Sequence, residues 1–105
     1  MAELIKDMKL KSGKIIKAGT ICKVEPKGDI YAVITAFDVG GKNLKIGILS
    51  IKLGKYFDDF INVDEKEIEA ACQDEVVPSL RGFDVEPDGH DEEGWPSILL
   101  AAGII

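Results

Sequence analysis

The sequence predicts a mainly β fold with minor α: a small antiparallel SH3-like β-barrel of about five strands, followed by two short C-terminal helices. Three observations predict it. First, short runs that alternate apolar and polar residues recur through the first half, separated by glycine and proline turn signals. Second, the run Ile30 to Phe37 is rich in β-branched and aromatic residues. Ile30, Ala32, Ile34 and Ala36 fall on one side of it, and Tyr31, Val33, Thr35 and Phe37 on the other. A strand that is apolar on both faces is expected at the centre of a sheet, covered on both. Third, strand patterning gives way after residue 57 to helical spacing and helix-cap chemistry.

Taken in order, Met8–Lys11 alternates apolar and charged residues, Ser12-Gly13 turns, and Lys14–Ile16 returns. Ala18-Gly19 is a second turn. Thr20–Glu25 follows as a strand, with Thr20, Cys22 and Val24 on one face. Pro26-Lys27-Gly28-Asp29 is a turn, because proline presets φ and glycine tolerates positive φ. After the central strand, Asp38–Lys42 carries two adjacent glycines and reads as a hairpin loop. Asn43–Leu49 returns with Leu44, Ile46 and Ile48 inward. The aromatics of Lys55–Ile61 are expected to plug one end of the barrel.

Asp64 to about Glu75 is predicted as a helix, with Asp64 as N-cap and Glu67 three residues on. Its apolar face is Ile68, Ala71, Cys72 and Val76, and Pro78 ends it. Residues 79–94 are polar and rich in turn chemistry. Pro96–Ala102 is a short helix, with proline in its first turn and glycine just beyond its end. The 105 residues make one domain, 1–105, divided into a barrel (8–57) and an acidic helical extension packed on it (58–105).

Charge is unevenly spread. Residues 1–57 carry eleven lysines against five acids, whereas residues 58–105 carry fourteen acids against one lysine and one arginine. The halves are therefore +6 and −12, and the chain is −6. The opening residues hold acids and no apolar run, unlike a secretory leader, and no apolar stretch is long enough to span a bilayer. A cytoplasmic protein with no membrane association is expected. Cys22 and Cys72 have neither zinc nor disulfide-framework spacing, and both are expected as buried free thiols.

Three groups of residues are candidates for function. Trp95, Ile98, Leu99, Ile104 and Ile105 are too apolar to be left in water; they either dock on the barrel or contact another chain, as a monomer or a homodimer. Lys9, Lys11, Lys14, Lys23 and Lys45 could track a phosphate backbone, with Tyr56 stacking on a base. The absence of arginine from that half and the acidic second half weigh against it. Asp84, Glu86 and Asp88 alternate before Gly89 as in the opening of a calcium loop, but Trp95 stands where the bidentate glutamate belongs. His90, the lone histidine, lies in a charged turn with no nucleophile beside it. No catalytic residue and no cofactor is expected.

Lys17-Ala18-Gly19-Thr20, the join Lys55-Tyr56-Phe57-Asp58-Asp59-Phe60, and the acidic Trp-Pro-containing ending from Val85 to Ile105 resemble a group of small, largely uncharacterised phage and mobile-element proteins. The resemblance implies a mobile-element origin and a barrel-then-tail layout, and it implies no catalytic residues. The expected function is a non-enzymatic interaction module that binds a protein partner. The alternative is a nucleic-acid-binding barrel masked or regulated by its acidic segment.

Overall fold

The computed structural model describes residues 1–105, and it is not a barrel. Eight strands form three separate antiparallel sheets, joined by two short α-helices and one 3₁₀ helix. The main sheet has the order β1-β4-β5-β6, built from β1 (Ala2–Glu3), β4 (Ile21–Lys27), β5 (Tyr31–Val39) and β6 (Lys42–Leu49). The strands β2 (Met8–Lys9) and β3 (Ile15–Ile16) pair only with each other, as do β7 (Val77–Pro78) and β8 (Asp84–Val85).

The SH3-like barrel expectation fails for two reasons. The Met8–Ile16 hairpin contributes only two paired residues per strand and joins no other sheet, so it cannot bridge β6 to the far edge. That far edge is taken by β1, which sequence patterning did not foresee, with Ala2 opposite Cys22 and Glu3 opposite Ile21. Closure needs continuous pairing around the ring, and β6 has no partner on its outer side.

Pairing follows the pattern of apolar side chains. Cys22, Val24 and Pro26 oppose Ala36, Ile34 and Ala32, which in turn oppose Leu44, Ile46 and Ile48. These residues line one face. A one-residue slip would turn the whole set outward, which is why the register is so well specified. At the β5–β6 turn, Gly40 and Gly41 both take positive φ (61° and 80°), the backbone that a two-residue hairpin of matching twist requires.

β5 is central, paired on both sides, but it is covered on one face only. Ala32, Ile34 and Ala36 are buried, while Tyr31 is 56% exposed and Val33, Thr35 and Phe37 are half-buried. The main core lies against the Ala32, Ile34 and Ala36 side, and the outer face stays the more open one.

That cover starts with the 3₁₀ helix Ser50–Lys55, which buries Leu53. Phe57, Phe60 and Trp95 then stack edge to face, with centroids 6.5 Å apart for the first pair and 4.8 Å for the second. The aromatics of the join thus plug no barrel. They weld the main sheet to the C-terminal half through one continuous core that runs from Ala2 and Leu4 to Leu99 and Ala101.

α1 (Glu65–Ala71) starts as predicted, with the Glu67 amide donating to the Asp64 carboxylate at 2.9 Å. It ends four residues sooner than expected, so Cys72 lies at the cap and is exposed rather than buried; Cys22 is buried. α2 (Ile98–Ala101) is capped by the Ser97 hydroxyl. It closes with paired bonds from Gly103 to Leu100 and from Ile104 to Leu99, and Gly103 takes φ 75°.

The stretch 79–94, read as plain turns, holds buried structure. Leu80 is buried and Val77, just before it, is too. The Asp91 carboxylate accepts from Ser79 Oγ at 2.8 Å and from the Glu93 and Trp95 amides at 3.0 Å each. This knot holds Trp95 against Phe60. No helix is long and apolar enough to cross a membrane.

Candidate functional site

The long edge strand β6 is the feature on which a site can be built. The Ser50 amide donates to the Ile30 carbonyl at 2.8 Å. Antiparallel ladders alternate bonded and non-bonded pairs, so Ala32–Ile48, Ile34–Ile46 and Ala36–Leu44 are the bonded ones. Lys45, Gly47 and Leu49 therefore point their backbone N–H and C=O groups away from β5, where no strand meets them. The opposite edge is treated differently: β1 covers its start, and Pro26 interrupts the remainder of β4.

An open groove runs beside the free edge. Its floor and walls come from Leu44 to Leu49 on one side and from Met8 to Lys11 of the small hairpin on the other, with Tyr31, Lys52 and Tyr56 at its margins. Met8 is buried and Leu10, Leu44, Ile46 and Ile48 are half-buried, so the floor is apolar. Lys9, Lys11, Lys45 and Lys52 line the groove, and no acid does. None of these four lysines forms an ion pair.

Tyr56 is a fixed wall. Its carbonyl accepts from the Ile5 amide at 2.8 Å, and the Lys6 ammonium sits over its ring, 4.9 Å from the centroid. One ring face is thus already occupied. Gly47 opens a gap on the outer side of the strand; a Cβ there would meet nothing within 4 Å.

Of the residues picked for nucleic acid, the fold brings Lys9, Lys11, Lys45 and Tyr56 together. Lys14 lies beyond the groove, past the Ser12-Gly13 turn. Lys23 is on the outer face of the sheet, 2.8 Å from Glu25. That hydrogen-bonded pairing raises the Lys23 pKa and lowers that of Glu25, and Lys45 adds a smaller pull on Glu25.

The residues picked for a protein partner divide. Trp95, Ile98 and Leu99 are buried within the chain and offer no surface; Ile104 and Ile105 are exposed. The docking expected within the chain thus describes the first three. Asp84, Glu86 and Asp88 do not converge, and no group of three or more His, Cys, Asp or Glu side chains could hold a metal ion. Asp84 is drawn into the two-residue strand β8, where it is exposed. His90 is engaged elsewhere, its Nε2 2.6 Å from Asp29 across the join of the two halves.

Gly47 and the free backbone of β6 are the parts that sequence reasoning missed. The signal available was a strand of good β-formers without proline. Comparison with protein-family models, curated proteins and solved structures finds no match for this chain.

Proposed function

We propose that this protein is a non-enzymatic interaction module that captures an extended segment of a partner protein at the edge of β6. One observation carries the reading: an unpaired strand edge with outward-facing backbone groups at Lys45, Gly47 and Leu49 runs beside an apolar-floored groove. An added strand satisfies those groups, and its alternate side chains fill the groove. Unprotected edges are otherwise blunted in soluble proteins, as this chain blunts its other edge with Pro26.

The test is panning of a displayed random-peptide library on the full chain. Enriched peptides are expected to lose binding to Gly47→Pro, which removes an outward donor, and to keep binding to Gly47→Ala, which retains it. Proline at that position costs no bond to β5. Enriched peptides that bind Gly47→Pro as well as the parent would refute strand capture.

A second reading has its own observation. Lys9, Lys11, Lys45 and Lys52 share one groove with Tyr31 and Tyr56, the layout of a basic channel for single-stranded nucleic acid. The occupied face of Tyr56 and the unpaired main-chain groups along β6 favour the peptide. Anisotropy of labelled single- and double-stranded oligonucleotides at low and moderate salt decides it, because phosphate binding weakens steeply with salt.

A further inference from the structure

We infer that the segment captured by β6 is acidic: an extended stretch in which aspartate or glutamate alternates with apolar residues, added as a fifth strand to the main sheet. This deepens the strand-capture reading and rests on it.

Charge is the first argument. Four lysines line the groove, none in an ion pair and with no acid among the lining residues, although Lys45 also acts weakly on Glu25. The lysines stand together because the fold gathers the basic half around this edge. A ligand with negative charge is drawn to that patch and held there, while a basic one is repelled.

Periodicity is the second. A strand laid along β6 alternates its side chains between the two faces of the sheet. On the inner side they meet Leu44, Ile46 and Ile48, with Met8 and Leu10 across the groove. On the outer side they meet Lys45 and the gap at Gly47, where a long side chain has room. Lys9, Lys11 and Lys52 supply positive charge along the opposite wall and end. Apolar residues at one parity and acids at the other fit both sides.

The same charges argue against the other occupants. A second copy pairing β6 with β6 would bring two lysine-lined edges together with no acid between them, and like charges across paired strands destabilise. A nucleic acid offers negative charge and phosphate acceptors, but no donors spaced along a strand for the carbonyls of Lys45, Gly47 and Leu49.

The experiment uses labelled peptides of about seven residues, enough to cover the free edge at ~3.4 Å per residue. One alternates glutamate and valine, one lysine and valine, and one glutamine and valine; a single-stranded oligonucleotide serves as a fourth probe. Anisotropy is read with the full chain, with Gly47→Pro, and with the double variant Lys45→Glu/Lys52→Glu. Circular dichroism and a thermal melt check that each variant is folded.

The glutamate peptide is expected to bind at least about tenfold tighter than the lysine peptide at low salt. It should weaken as salt rises, lose binding to Gly47→Pro, and fall behind the lysine peptide on the charge-reversed variant. Equal binding of all three peptides, all lost in Gly47→Pro, overturns the acidic preference and leaves strand capture standing. Binding of the oligonucleotide, unchanged in Gly47→Pro, overturns both in favour of nucleic acid. Failure of the glutamate peptide to bind the parent chain overturns the acidic ligand outright, and strand capture is then judged on the library result.

Discussion

Replacing Gly54 with alanine probes the join between the two halves of the chain. Gly54 lies in the 3₁₀ helix with an ordinary negative φ, so backbone strain is not the issue. Space is. A Cβ there overlaps the Ile61 carbonyl oxygen and lies 2.5 Å from the Ile61 carbonyl carbon and 2.8 Å from Asn62 Cα. These are backbone atoms, which cannot rotate aside as a side-chain tip can. The Ile61 amide is also tied to the Leu80 carbonyl at 2.9 Å, so moving residue 61 pulls on the core of the C-terminal half.

Overpacking costs about 1–3 kcal/mol and occasionally more, and a rigid obstacle puts this site at or above the top, ~3 kcal/mol. For a domain of this size that is a fall in Tm on the order of 12 °C. The assay is urea unfolding, comparing the midpoint and slope of Gly54→Ala with those of the parent. Gly47→Ala is the internal control: its Cβ meets nothing within 4 Å, and the change is expected to be neutral or stabilising by about 0.4–1 kcal/mol. A Gly54→Ala chain within about 0.5 kcal/mol of the parent would show that residues 54 and 61 do not pack this closely.

Two further outcomes are expected. Trp95→Ala, which removes a ring buried against Phe60, should cost about 3–5 kcal/mol in urea unfolding, whereas truncating the exposed Ile105 should stay within ~0.5 kcal/mol. Equal effects would place Trp95 outside the core. In native protein a maleimide should label exposed Cys72 and spare buried Cys22, which should react only after unfolding. Burial pushes the Cys22 thiol above its usual 9.0, so the unfolded chain ionises first. Its contribution to stability is therefore present below pH 9 and lost as pH rises beyond it, and Cys22→Ala should flatten that alkaline loss. An unchanged slope in Cys22→Ala would show that the thiol titrates alike in both states.

Local features were legible because their causes are local. The turn at Gly40-Gly41, the cap at Asp64, the proline before α2 and the glycine after it each depend on a few neighbouring residues. The inward set of β4, β5 and β6 was readable from alternation alone. The extent of short strands was not, because two-residue pairs such as β1 and β7–β8 have no period to detect. Cys72 was misplaced by a single turn of helix, since nothing at Ala71 marks a stop.

The candidate groove shows the same division. The sequence already held eleven lysines in one half, a long strand after the hairpin, and the aromatics of the join. It could not say that Met8–Lys11 would lie across from Leu44–Leu49, nor that Lys14 and Lys23 would fall elsewhere. Composition and alternation thus settle which residues prefer to be buried and where the chain turns, because burial and backbone preference are properties of each residue. Strand order, the open edge of β6 and the uncovered outer face are settled by competition among distant segments. The C-terminal half fills one face of the sheet, Ala2–Glu3 takes one edge, and no segment is left for the other.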